Sequence, residues 1–280
     1  MSAVTRSGCV GDGPGYDAFC QFLSSACGII LGDNKQYLVN SRLSGLMDEH
    51  GICSLTELVE RLKGSPGSTL YVAVVDAMTT NETSWFRDAY PYEFLSQQLL
   101  PQAEAANRAL RIWSAASSSG QEPYSISIVV DEYLNNISSS LRPVKIIATD
   151  ISQTVLNEAK KGLFHQIALD RGISAARLNR YFESDGDLWA IKHEIKSRID
   201  FREFNLLGSY GPLGKFDVVF CRNVLIYFSA EIKRDILRRI AGVLNPGGYL
   251  ILGGAESMAD YSDSFDVVRL KNGLVYQLKE

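Results

Sequence analysis

Apolar positions follow two regimes along the chain. Early on they recur every three or four residues. Phe19, Phe22, Leu23 and Ala26 form one run, and Leu55, Leu58, Val59 and Leu62 another. That spacing lays an apolar stripe along one side of an α-helix. Gly28, Gly32-Asp33-Asn34, Gly51 and Gly64-Ser65-Pro66-Gly67 interrupt the pattern, and such residues favour turns. The spacing predicts a bundle of about four helices over residues 16–78. Residues 1–15 read as a flexible tail, and residues 79–110 as a connecting segment.

From residue 111 short apolar runs alternate with helical stripes. Arg111-Ile112-Trp113 is a strand signal, followed by small residues over 114–120. Pro123 opens a helix with Ile126, Val129, Val130, Tyr133 and Ile137 on one face. Residues 144–149 form a second strand, ended by Asp150. Ser152 caps the helix that carries Val155, Leu156 and Ala159. Strands follow at 199–204, ended by Asn205, and at 216–220, ended by Cys221-Arg222-Asn223. Residues 231–244 read as a helix with Ile232, Ile236, Ile240 and Leu244 in register, stopped by Asn245-Pro246-Gly247-Gly248. A strand at 249–252 comes next. This alternation predicts an α/β doubly wound sheet.

Two stretches break the alternation. Within 163–198, Trp189, Ile191, Ile195 and Ile199 alternate with Lys192, Glu194, Lys196 and Arg198, a period of two that predicts an inserted antiparallel ribbon. At the end, runs at 267–270 and 274–278 flank Lys271-Asn272-Gly273, a hairpin signal. A doubly wound sheet ending in an antiparallel hairpin resembles the S-adenosylmethionine-dependent methyltransferase fold.

Composition narrows the classes. Of 280 residues, 46% are hydrophobic and 21% charged, with a net charge of −4, so the chain as a whole does not attract nucleic acid or anionic membrane. No apolar run approaches the roughly 20 residues of a membrane span, and the first residues lack the apolar core of a secretory signal. Five cysteines without a C-x-x-C, and three scattered histidines (His50, His165, His193), point to a reduced, cytoplasmic setting and away from a zinc site or histidine triad. Over residues 1–75 any basic face must use Lys35, Arg42, Arg61 and Lys63.

Ligands of open α/β sheets lie beyond the carboxyl ends of the strands. The small-residue loop before Glu122 lets a ligand approach backbone. Asp150 suits both hydroxyls of a ribose, and Asn205 with the Leu206 N–H suits an adenine edge. Arg222-Asn223 and Tyr227 end the set. No G-x-G-x-x-G is present, which counts against NAD or FAD.

One more stretch stands out, TTNETSWFRD at 79–88, too rich in chemistry for a linker. Together with AASSSGQEPYSISI at 115–128, ATDIS at 148–152, REFNLL at 202–207, FDVVFCRNVLIYF at 216–228 and LNPGGYLILGGAESM at 244–258, it resembles the CheR-type chemotaxis receptor methyltransferases. The resemblance implies a helical N-terminal domain, a methyltransferase domain over 111–280 and a β-lobe inserted at about 163–198. It implies S-adenosylmethionine as cofactor, S-adenosylhomocysteine as product, and methyl transfer to glutamate γ-carboxylates on the cytoplasmic helices of a chemoreceptor. Apart from the resemblance, a monomer is expected, with no nucleic acid partner and no membrane insertion. By motif, the cofactor contacts are Asn81, Thr83, Arg87, Glu122, Asp150, Asn205, Leu206, Arg222 and Asn223, and Arg87 and Tyr227 face the reacting methyl group. The chain departs from the family pattern at Trp85, Ala116, Gln121 and Asp88. The segment Tyr181-Phe182-Glu183-Ser184-Asp185-Gly186-Asp187-Leu188 is shorter than in members that dock a receptor's C-terminal pentapeptide, so no such tether is expected. A small-molecule or nucleic-acid methyltransferase, and a cofactor-binding sensor, are the competing classes; the first lacks an N-P-P-Y-type site, and the complete set of strand-end residues weighs against the second.

Overall fold

The computed structural model describes residues 13–32, 34–136, 139–258 and 261–279. Most of the expected N-terminal tail, with Cys9, and also Asp33 and Ile137, lie outside them. The chain divides into one compact unit that runs to Thr80 and one that starts at Asn81.

The first unit holds four helices among the described residues: α1 (Gly13–Cys27), α2 (Gln36–Glu49), α3 (Leu55–Gly64) and α4 (Thr69–Met78). Ser54 and Ser68 cap α3 and α4 by accepting the N–H groups of Glu57 and Tyr71. Phe19, Leu23, Val39, Leu43, Leu58 and Leu62 are fully buried, as the apolar stripes require. Two of the four cations proposed as a basic face work inside the unit. Arg42 donates to the Met78 and Thr79 carbonyls at the end of α4 (2.8 and 2.9 Å). Arg61 pairs with Glu57 (2.6 Å) and donates to the His50 carbonyl.

Where the pattern predicts a connecting segment, the second unit has a helical stretch: α5 (Tyr90–Phe94), a π-turn over Leu95–Leu99, and α6 (Leu100–Ala105). Pro101 removes one N–H from the helical ladder, and a π-turn just before it accommodates the loss. The sheet follows, with β1 (Leu110–Ala115), α7 (Gln121–Asn136), β2 (Val144–Asp150) and α8 (Gln153–Lys161). The insertion contains β3 (Leu163–Phe164), α9 (Gln166–Asp170), α10 (Ala175–Tyr181), β4 (Phe182–Asp185), β5 (Leu188–Ile191) and α11 (His193–Lys196). The main sheet resumes with β6 (Ile199–Glu203), β7 (Phe216–Cys221), α12 (Ala230–Val243), β8 (Leu244–Ile251), β9 (Phe265–Leu270) and β10 (Gly273–Leu278).

The seven strands lie in the order β6-β2-β1-β7-β8-β10-β9, and β3-β5-β4 form a separate antiparallel sheet. β6, β2, β1, β7 and β8 run parallel, while β10 runs antiparallel to both β8 and β9. The α/β fold with a closing hairpin and an inserted antiparallel lobe is therefore present. Two boundaries differ from expectation. The ribbon stops at Ile191: residues 193–196 form a helical turn whose Ile195 is fully buried and whose Ile195 carbonyl accepts the Ser127 hydroxyl (2.7 Å). Packing against α7 overrides the period of two. Likewise α12 ends at Val243, and Leu244 already belongs to β8, whose register against β7 shifts between Phe216 and Val218. Asn245-Pro246-Gly247-Gly248 thus interrupts a strand as well as ending a helix.

Candidate active site

Register brings the strand ends together. Ala115 pairs with Thr149 of β2 and Cys221 of β7, and Thr149 pairs with Arg202 of β6. Ala116 and Arg222, just past their strands, and Asp150, the last residue of β2, therefore stand side by side at the end of the sheet.

After β1 the backbone turns through left-handed conformations at Ala116 (φ 55°) and Ser118 (φ 51°). Such a conformation costs an L-residue about 1–2 kcal/mol, so neighbours must hold it. Ser117 donates its N–H to the Thr149 carbonyl (2.8 Å). Ser118 donates its N–H to Asp150 Oδ2 (2.8 Å) and its hydroxyl to the Asn81 carbonyl (2.7 Å). Asp150 Oδ1 accepts the Ser152 N–H (3.0 Å). A buried carboxylate therefore sits against a loop of small residues, and the Ser117 hydroxyl buried there has no hydrogen-bond partner among the described residues. A buried acceptor, an unmatched hydroxyl and backbone unobstructed by large side chains suit a sugar-bearing ligand such as S-adenosylmethionine.

The other side is built on Arg222. Its side chain is 2% exposed and pairs with Glu122 (3.0 Å) and Asp88 (2.6 Å). It also donates to the Arg87 carbonyl (2.8 Å), and Ser114 donates its hydroxyl to the other Glu122 oxygen (2.8 Å). Burial works against the guanidinium's charge, but Glu122, Tyr92 and Asp88 together hold its pKa above the ordinary arginine value. Burial pushes the Tyr92 phenol well up, with the Glu122 charge adding to it. Glu122 and Arg222 thus spend their charges largely on each other.

The segment 82–89 is clasped from the inserted lobe. Trp85, 2% exposed, packs edge-on against Phe164 and Phe182 (ring centroids 4.9 and 5.4 Å apart). The Arg177 guanidinium lies 3.7 Å from the Phe86 ring centroid while both its arms hold Glu132 (2.8 and 2.9 Å). Gly172, at φ +121°, is so close that a Cβ would lie 2.2 Å from the Trp85 carbonyl oxygen.

Hydrogen bonds thus link Asn81 to Asp150 through Ser118, and Arg87 to Glu122 through Arg222. The Phe204 N–H donates to the Asp150 carbonyl (2.8 Å), tying the β6 end to that of β2; there Asn205 Oδ1 accepts the Leu207 N–H (2.9 Å) and Leu206 is buried in the core. Among the described residues, Thr83 and Tyr227 make no hydrogen bond to either group. Arg87 and Tyr227 are half-buried and their side chains have no partner among the described residues. As site residues, Asp88 and Ser118 escape sequence reasoning, although Asp88 carries a signal, being a carboxylate at the end of the polar TTNETSWFRD stretch.

Two family models match the chain: the CheR methyltransferase all-alpha domain over residues 14–79 and the CheR methyltransferase SAM binding domain over residues 81–274. Chemotaxis protein methyltransferase 1 of Pseudomonas aeruginosa is 54% identical over 94% of this chain and 97% of its own length. Chemotaxis protein methyltransferase Cher2 of Pseudomonas putida is 52% identical over 94% of this chain and 98% of its own. The chemotaxis protein methyltransferase of Salmonella typhimurium is 33% identical over 95% and 90%.

Proposed function

Because the chain belongs to the CheR methyltransferase family, we propose that it methylates the γ-carboxylate of glutamates on a chemoreceptor, giving glutamyl methyl esters. It is an S-adenosylmethionine-binding methyltransferase, and the cofactor when bound supplies an electrophilic methyl group on a sulfonium. The observation that carries the reading is a division of labour: Asp150, Glu122 and Arg222 around the strand ends are held by fixed partners, while Arg87, before α5, and Tyr227, after β7, keep side chains without a partner among the described residues.

In this reading Asp150 accepts the ribose hydroxyls, Asn205 and the Leu206 N–H meet the adenine, and Asn81, Thr83, Glu122, Arg222 and Asn223 line the rest. A glutamate has an ordinary pKa near ~4.3, so the nucleophile is already ionised at neutral pH and needs no general base. The bound cofactor would supply the methyl group to the carboxylate oxygen, and no residue of the chain would need to take up or give a proton. Opposite charges neutralise along the way, so excluding water and aligning the oxygen both help. Tyr227 orients the carboxylate. Arg87 positions either the cofactor or the incoming carboxylate without pairing so tightly as to blunt it.

The turn joining β4 to β5 contains only Gly186 and Asp187, which supports a lobe that works without a receptor pentapeptide. Among the described residues no helix is long and apolar enough to cross a membrane, which suits action on the cytoplasmic side of the receptor.

Receptor membranes incubated with the protein and methyl-tritiated S-adenosylmethionine should acquire label that alkali releases as methanol. Label stable to alkali overturns the ester. Arg87→Ala should lower transfer by about 100-fold, and normal transfer by that variant removes its assigned role. Receptors with and without their C-terminal pentapeptide should be methylated at equal rates; a strong preference for the intact tail would reject tether independence.

A further inference from the structure

Glu256 has no part in the site as described, yet its carboxylate gathers three backbone N–H groups. Oε2 accepts those of Asn223 (2.6 Å) and Gly253 (2.8 Å), and Oε1 accepts that of Leu225 (2.8 Å). The donors belong to two chain segments that have left the sheet, since β7 ends at Cys221 and β8 at Ile251. Backbone donors that lose their ladder partners need others, and bonds to a charged acceptor are roughly twice as strong as neutral ones.

The turn after β7 does not hold its shape unaided. Asn223 sits at φ 57°, in the left-handed region. From there the chain forms a single 3-10 turn, Leu225–Tyr227, in which Tyr227 donates its N–H to the Val224 carbonyl (3.2 Å). Fixing the N–H groups of Asn223 and Leu225 therefore fixes where Tyr227 stands. The neighbouring strand end is shaped to match. A Cβ on Gly253 would lie 2.6 Å from Asn223 Nδ2 and 2.9 Å from Glu256 Oε2, so the Asn223 amide and the carboxylate occupy the space a side chain would take. Glu256 also donates its own N–H to the Gly253 carbonyl (2.9 Å), which closes the 253–256 turn and aims the carboxylate back at β7.

We infer that Glu256 is a positioning residue for methyl transfer: it ties the ends of β7 and β8 together and thereby sets Tyr227. The inference rests on the role given to Tyr227 above. Neither neighbouring chemistry serves as well. Glutamine offers only one oxygen and turns an NH₂ group toward a backbone N–H, and aspartate is one methylene too short to reach both segments.

The test is a double-mutant cycle on the full-length protein with receptor membranes, comparing Glu256→Gln, Tyr227→Phe and the double variant. Glu256→Gln should lower kcat by about 30-fold while weakening S-adenosylmethionine binding, measured by calorimetry, by less than about fivefold. In the Tyr227→Phe background the same change should cost less than about threefold, because the group it positions is already gone. Equal losses in both backgrounds, or a loss carried by cofactor affinity alone, overturn the inference. Full kcat in Tyr227→Phe alone removes the Tyr227 reading, a different failure from additivity between two damaging changes. If Glu256→Gln does not fold, Glu256→Asp enters the same cycle, with the same coupling expected and the same additivity fatal.

Discussion

Two stretches of left-handed backbone flank the site, and they are held by different chemistry. After β1, Ala116 and Ser118 turn at φ 55° and 51°; in the segment before α5, Phe86, Asp88 and Ala89 turn at 49°, 69° and 49°. The first is held chiefly by the end of the adjacent strand β2, 32 residues on, whose Thr149 carbonyl and Asp150 carboxylate meet its backbone N–H groups. The second is held by Arg222, Gly172 and Arg177, far away in sequence. A loop fixed mainly by the strand paired beside it needs little more than that strand pair to form. A loop fixed by a buried cation and by an inserted lobe depends on the whole unit being folded, and so it couples Arg87 to the lobe and to the end of β7.

The largest break in this comparison is Arg222→Met. It leaves Glu122 buried without its partner and releases the Arg87 carbonyl, and removing one member of a buried pair costs about 3–5 kcal/mol. Urea unfolding should show this loss. Adding Glu122→Gln should recover part of it, whereas Asp88→Asn, at a side chain 36% exposed, should cost no more than about 1 kcal/mol. A loss from Arg222→Met that Glu122→Gln does not relieve would mean that charge is not what holds this side.

Gly172→Ala tests the lobe's share. The new methyl would collide with the Trp85 carbonyl oxygen at 2.2 Å on a backbone already at φ +121°, at a cost of about 2–3 kcal/mol. Methyl transfer should fall more than stability requires, because the displaced carbonyl lies two residues from Arg87. Unchanged activity in a folded variant would show that the lobe does not fix Arg87. On the β1 side the expected change has the opposite sign. Ala116→Gly relieves a left-handed alanine and loses some chain entropy, for a net gain of about 0.5–1 kcal/mol. A higher thermal midpoint checks it, and a lower one would mean that the alanine methyl packs usefully.

The same contrast governs what the sequence made readable. The strands, the Ser152 cap, the final hairpin and the strand-end residues Asp150, Asn205 and Arg222 follow from period and punctuation, which are local. The helix over 90–105 hid behind Pro91 and Pro101, because a π-turn that absorbs a proline leaves no regular stripe. The false ribbon at 192–198 arose because Ile195 and Ile199 are both held inward, one by a helical turn packed on α7 and the other by a strand of the main sheet. Arg222, Glu122 and Asp88 could each be seen at a motif, but their pairing spans 100 and 134 residues, and no periodicity reaches that far. The same holds for Glu256 and its donors in the turn after β7.

The smallest effect concerns a carboxylate held as Asp150 is, but only half-buried. Glu104 accepts the Tyr133 hydroxyl (2.6 Å), the Ser139 hydroxyl (2.7 Å) and the Ser140 N–H (2.6 Å). Its pKa is lowered, chiefly by the Tyr133 bond, and Tyr133, whose proton that bond retains, is pushed up to about 12. A depressed carboxylate contributes stability above its unfolded pKa and loses it as pH falls through the folded value. A raised phenol contributes below its ordinary value near ~10 and loses it as pH climbs toward the folded one. The stability difference between wild type and Tyr133→Phe should therefore form a plateau across neutral pH, shrinking below the ordinary carboxylate range and again in strong alkali. Urea midpoints at acid, neutral and alkaline pH will trace it. A difference independent of pH would mean that the hydroxyl matters for packing and not for the charge it meets.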